Sequence, residues 1–170
     1  MTQQHGKPEE RATKFLERLV ATKDDRGKMA CLRRGLSPGT RHYSWQVLAA
    51  IGGASAIDDP VCETVAACFA LHPENKKIGN FGVTCQKIGK DNMDAFERHF
   101  RRLIASGDRR DVCVQVANIV KKAKSEGVAI DYETLFVDLY YWSDRVKVCW
   151  AQKFWSVPEE PDETSEEGAP

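Results

Sequence analysis

The sequence predicts an all-α protein, a single helical bundle of about seven to nine helices. Apolar residues recur at helical spacing through most of the chain. No alternating, strand-like run lies between hairpin-type turns. Residues that start and stop helices bracket the periodic segments, among them Asp58-Asp59-Pro60, Asp108 and Gly52-Gly53.

In chain order, Ala12, Phe15, Leu16, Leu19 and Val20 form the first apolar stripe. Met29, Leu32 and Leu36 form a shorter second one, closed by the turn Ser37-Pro38-Gly39-Thr40. Trp45 to Ile51 gives a short third helix ended by Gly52-Gly53. A carboxylate cap and Pro60 then lead into Val61, Val65, Cys68 and Phe69, and this helix stops before Pro73. The glycine-spaced segment Gly79 to Gly89 predicts one more short helix. Two long helices follow: one with Met93, Phe96, Phe100, Leu103 and Ile104, and one capped by Asp108 with Val112, Val116, Ile119, Val120 and Ala123. Val112 to Val116 also alternates with period two, as a strand would, but the helical stripe runs unbroken to Ala123 and favours helix. After Gly127, the stretch from Tyr132 to Phe154 gives one or two further helices. Trp142 and Trp150 lie on its apolar stripe, which makes them expected core residues and not base-stacking platforms.

The net charge of zero is a cancellation between two segments. Residues 158–170 hold six carboxylates (Glu159, Glu160, Asp162, Glu163, Glu166, Glu167) and no Lys or Arg, so residues 1–157 carry 25 basic against 19 acidic groups. This divides the chain into a basic helical domain, 1–157, and an acidic tail, 158–170, expected to be disordered because it has no apolar anchor. A basic body points to a polyanion partner, and the tail is expected to oppose polyanion binding. No window approaches the ~20 apolar residues of a membrane span, and Met1 to Arg11 lacks the apolar core of a secretory signal, so the expected compartment is the cytoplasm.

On a wheel of about 100° per residue, Arg98, Arg101 and Arg102 fall opposite Phe96, Phe100 and Leu103, so three guanidiniums face outward together. Like charges at these spacings repel, and Glu97 lies nearby in sequence to relieve them. Arg33-Arg34, Arg41 and Lys87 extend the candidate nucleic-acid-binding set. Arg109-Arg110 oppose the dipole of their helix, whereas the dipole favours Lys121, Lys122 and Lys124 at its C-terminal end, which predicts a merely structural role for those lysines. Catalytic signals are weak. His5, His42, His72 and His99 have no partner at triad or ligand spacing, and no P-loop, H-E-x-x-H or acidic nuclease cluster occurs. Gly79-Asn80-Phe81-Gly82 has the G-x-x-G spacing of KH domains, which also need flanking strands that this sequence lacks. Six widely spaced cysteines form no C-x-x-C and read as small hydrophobes in helices. No metal site, cofactor or enzymatic activity is expected.

Several segments, in this order, resemble the CasB family, the small subunit of the type I-E CRISPR surveillance complex Cascade. They are Cys31-Leu32-Arg33-Arg34-Gly35-Leu36 with a Pro-Gly turn and a Trp45-led helix; Phe69-Ala70-Leu71-His72; Phe96-Glu97-Arg98-His99-Phe100-Arg101-Arg102-Leu103; Ile130-Asp131-Tyr132 with Asp138 and Trp142; and Trp150-Ala151-Gln152-Lys153-Phe154-Trp155. The resemblance covers roughly residues 10 to 155 and implies a non-catalytic helical bundle in two packed parts. It implies contacts with guide RNA and target DNA backbones, R-loop stabilisation, and assembly with the backbone subunits, the large subunit and a second copy of itself. The family often has two basic residues in the helix after its glycine segment, where this chain has Gln86-Lys87. The alternative reading is a protein scaffold whose basic face meets acidic partner surfaces.

Overall fold

The computed structural model describes residues 6–157 of the 170, so the predicted acidic tail lies outside the described residues. Among the described residues there are nine α-helices and no strand. They are α1 (Pro8–Ala21), α2 (Arg26–Arg33), α3 (Trp45–Gly52), α4 (Pro60–Leu71), α5 (Phe81–Gly89), α6 (Met93–Ile104), α7 (Arg109–Glu126), α8 (Tyr132–Tyr140) and α9 (Asp144–Phe154), with short 3-10 turns at 34–36, 41–44 and 54–56. The period-two run from Val112 to Val116 is helix, inside α7.

Local chemistry sets most boundaries. Asp59 accepts from the Val61 and Cys62 amides and Pro60 follows it, starting α4. Asp108 accepts from the Asp111 amide and starts α7. Gly53, at φ 80°, ends α3 in a conformation that side chains resist. Once formed, α4 is the buried axis of the domain. Nine of its twelve residues are buried, and it packs on α2, α3, α7 and α8. Its C-terminal end is tied down by polar contacts: the Tyr132 hydroxyl lies 2.6 Å from the His72 carbonyl oxygen, and His72 Nε2 donates to the Val128 carbonyl at 2.6 Å. Helices α5, α6 and α9 form a second group. Helix α7 packs on α4 and α8 as well as on α5 and α6, and the buried side chains form one continuous core.

The second group depends on a close approach. A Cβ on Gly82 would lie 2.2 Å from the Trp150 carbonyl oxygen, so only glycine lets α5 and α9 meet there. The G-x-x-G spacing therefore serves helix packing. Above that contact Phe81 packs on Trp150, Phe154 stacks on Phe100 at 3.9 Å, and Phe96 completes the cluster. Trp150 is fully buried, with Nε1 donating to Asp138 at 2.7 Å. Trp142 is half-buried and donates to the Ser106 carbonyl at 3.1 Å. Val20, assigned to the first stripe, and Cys149, read with the other cysteines as a small hydrophobe, are exposed instead: each sits about 90–100° round its helix from the centre of the buried face.

Replacing Gly82 with alanine is expected to push α5 off α9 and destabilise the fold by about 3 kcal/mol in denaturant unfolding. Gly39→Ala, where a Cβ meets nothing within 4 Å, is expected to stay within about 0.5 kcal/mol of the parent. Equal effects at the two positions would contradict this packing account.

Candidate nucleic-acid interface

The site begins with α6. Asn92 caps it by accepting from the Ala95 amide at 3.3 Å, and Phe96, Phe100 and Leu103 are buried against the rest of the second group. The opposite face must then meet solvent, and Arg98, Arg101 and Arg102 are all exposed. Their surroundings separate them into two sets. Arg101 Nε donates to Glu97 at 2.8 Å, and its guanidinium lies 5.2 Å from the centre of the Trp155 ring on the α9 side. Arg98 and Arg102 have no ion-pair partner among the described residues.

Those two arginines flank His99, which is half-buried beside Phe96 and lines a cavity of about 210 Å³ with Lys122 and Glu126 of α7. Burial, and then the positive charges of Lys122, Arg102 and Arg98, hold the His99 imidazole below its ordinary pKa. The structure thus brings Lys122 into the α6 cluster. Its position at a helix C-terminus gave it a purely structural reading, and the pairing of α6 with α7 places it beside His99.

One residue earlier and about 100° round α7, Lys121 faces a different surface. It lines a groove of about 480 Å³ between α7 and the 35–41 turn, together with Leu36, Pro38, Arg41, Arg110 and Val114. Arg33 and Arg34 precede this turn in the chain and are exposed, and neither lines the groove. The Arg34 guanidinium lies 4.4 Å from the Tyr43 ring centre, and Arg33 Nη1 donates to the Ala70 carbonyl at 3.2 Å. The C-terminal half of α7 therefore separates two basic surfaces and contributes a lysine to each.

Arg41 is occupied structurally. Its Nε and Nη2 donate to the two oxygens of the buried Glu63 carboxylate, each at 2.9 Å, and Nη2 also reaches Asp58 at 2.8 Å. These carboxylates, Glu63 foremost, raise its pKa above the ordinary arginine value. Arg109 and Arg110, which oppose their helix dipole, have partners too: Arg109 lies 4.4 Å from the Tyr140 ring centre and Arg110 is 3.8 Å from Asp58. Lys87 is exposed on α5. Its neighbour Gln86 donates to the Ser156 carbonyl at 2.6 Å, so the position where a second basic residue is often found instead ties down the end of the described chain.

The thiols offer no activated nucleophile in the core. Burial pushes Cys62 up to about 12 and Cys113 to about 11, and raises Cys68 and Cys85 as well. No helix of the described residues is long and apolar enough to cross a membrane.

Comparison with known proteins places this geometry in a family. No curated protein matches the chain in sequence. The crystal structure of TTHB189, a CRISPR-associated protein of the Cse2 family from Thermus thermophilus, superposes with a TM-score of 0.70. It covers 88% of this chain and 99% of that one at 22% identity, which shows the shared fold. In sequence, the family model described as CRISPR-associated protein Cse2 matches residues 28–155, and the chain therefore belongs to the Cse2 family, the small subunit, also called CasB, of type I-E Cascade.

Proposed function

We propose that this Cascade-type subunit acts without catalysis, binding the phosphate backbones of guide RNA and target DNA and stabilising the R-loop in antiviral defence. One observation carries the reading: His99 and Lys122 line one cavity between α6 and α7, Arg98 and Arg102 are exposed beside His99 on α6, and neither arginine has an ion-pair partner among the described residues. Clustered like charges repel, and a phosphate chain is the ligand that relieves them along a surface. Such contacts fix a strand without reading its bases, which suits a complex whose sequence recognition is guide pairing. R-loop formation is a nearly balanced exchange of duplexes, so a few backbone contacts from a small subunit tip it. Lys121, Arg34 and Arg33 are candidate contacts away from that surface, on the other side of α7, and Lys87 is a further one on α5. Arg41 instead holds Glu63 and shapes the groove. The exposed Val114 in that groove, 59% accessible, favours a contact with another Cascade subunit or a second copy there. The expected setting is cytoplasmic.

Single-stranded oligo-thymidine binding across a salt series tests the reading. Removing one phosphate-binding side chain is expected to reduce the log–log salt slope by about 0.7, so Arg98→Ala with Arg102→Ala reduces it by about 1.4 while the fold stays intact. Arg41→Ala is expected to leave the slope unchanged but to destabilise the protein by about 3 kcal/mol, because Glu63 is left buried and unpaired. A pure scaffold predicts that no slope changes and that the arginine double variant instead drops out of the assembled complex.

His99 supplies a pH dependence with a definite sign. Its pKa in the folded protein is below the ordinary value of about 6.5, so the unfolded chain binds the proton more readily. The stability associated with neutral His99 is present above about pH 6.5 and is lost as the pH falls below it. Thermal unfolding of His99→Gln between about pH 7.5 and pH 5.5 is expected to show a shallower acid loss than the parent. Parallel curves would contradict the placement of His99 among these cations.

A further inference from the structure

We propose that Trp155 is a stacking platform for one unpaired DNA base, placed at the edge of the α6 arginine face. The inference rests on the reading of that face as phosphate-binding and adds to it a preference for single strands over duplex.

The chain has four tryptophans, and Trp155 differs from the other three. Trp45, Trp142 and Trp150 are buried or half-buried, and each indole N–H has an acceptor: Glu63, the Ser106 carbonyl and Asp138 in turn. Trp155 is 45% exposed, and its indole N–H has no acceptor among the described residues. Its backbone is nevertheless fixed. The Trp155 amide donates to the Ala151 carbonyl at 3.0 Å, and the carbonyl of the next residue, Ser156, accepts from Gln86 of α5 at 2.6 Å. A ring held in place before binding loses little freedom when a ligand stacks on it.

The ring presents one face outward. Phe100 and Phe154 stack on each other at 3.9 Å, and the indole stands at 87° and 73° to them with its centre 5.2 Å from each. A ring equidistant from both members of a stack lies beside it, so one indole face rests on the edges of the pair, the edge-to-face geometry that aromatic rings favour. The other face turns away from that pair. The Arg101 guanidinium lies over the ring at 5.2 Å from its centre, farther than the ~3.5–4.0 Å of atoms in close contact. Its side chain is 66% exposed and held by Glu97. An ion pair this exposed contributes little, so Arg101 can move to a phosphate at small cost and uncover the ring.

The neighbours select the ligand. Arg98 precedes Arg101 by three residues, and side chains at that spacing on a helix lie about 5–6 Å apart at Cβ, so phosphate-binding groups stand next to the ring. An aromatic face beside guanidiniums matches an unpaired base on its own sugar-phosphate, and every base has such a face to offer. In duplex, bases are already stacked on one another. The unpaired strand of an R-loop is the DNA strand that the guide displaces, and that strand is the occupant this surface fits.

The test uses the full chain with oligo-thymidine, an abasic strand of the same length and a duplex of the same length. The parent is expected to bind oligo-thymidine about tenfold more tightly than the abasic strand. Trp155→Ala is expected to lose that margin but to keep the parent's salt slope and its affinity for the abasic strand and the duplex. Trp155→Phe, which keeps a ring beside Phe100 and Phe154, is expected to keep most of the margin. Oligo-thymidine is also expected to quench a tryptophan emission component in the parent that Trp155→Phe lacks. No margin in the parent, a margin that Trp155→Ala leaves intact, or equal quenching in the parent and Trp155→Phe would overturn the platform. Loss of Trp155→Ala from the assembled complex with its margin unchanged would overturn it as well and make the ring a protein contact. If alanine unfolds the chain, the parent's margin and the quenching decide. The abasic strand judges the backbone reading separately: if it does not bind the parent, that reading fails, while a Trp155-dependent hold on oligo-thymidine still supports the platform.

Discussion

The contact between Gly82 and the Trp150 carbonyl sets the geometry of the group formed by α5, α6 and α9. Because a Cβ there would fall 2.2 Å from the carbonyl oxygen, α5 and α9 close on each other at glycine alone. That closure seats Phe154 against Phe100 and Phe96, which fixes the rotation of α6 about its axis. Once the apolar face of α6 points inward, Arg98 and Arg102 point outward on the flank that meets α7, and Arg101 lies on the opposite flank over Trp155. The basic surface thus follows from a packing constraint rather than from any preference of arginines for one another.

The electrostatic arrangement is consistent with binding. Where the fold needs a charge, it supplies a partner: Glu63 and Asp58 for Arg41, Asp59 for Arg11, Asp58 for Arg110. At the α6–α7 surface Arg98 and Arg102 have no ion-pair partner among the described residues, and burial, together with the positive charges there, depresses the pKa of His99. Exposed ion pairs contribute little to stability, so leaving Arg98 and Arg102 without partners costs the fold little and keeps their hydrogen-bond donors available to phosphate.

Much of the fold was legible in the sequence, for identifiable reasons. Asp59-Pro60, Asp108 and Gly53 act through their own backbone geometry, and α4, α6 and α7 carry long apolar stripes, so neither boundaries nor type depended on distant residues. The CasB resemblance, read from ordered short segments, agrees with the family match over residues 28–155. Tertiary choices were hidden. Periodicity cannot show that Arg41 is committed to Glu63, twenty-two positions away, or that Arg101 is taken up by Glu97 and Trp155 while Arg98 and Arg102 are not. Lys122 gave no sign of its place beside His99 because its helix-end position explained it locally. Val20 and Cys149 were misplaced because a stripe marks the centre of a buried face better than its edges.

Lysine acetylation footprinting of the full chain, with and without saturating oligo-thymidine, tests most directly the claim that the α6–α7 surface binds the strand. Lys122 is predicted to become protected, while Lys14 and Lys23, on and just after α1, keep their reactivity. Protection at Lys14 and Lys23 with none at Lys122 would contradict the assignment and move the nucleic-acid surface to another face of the bundle.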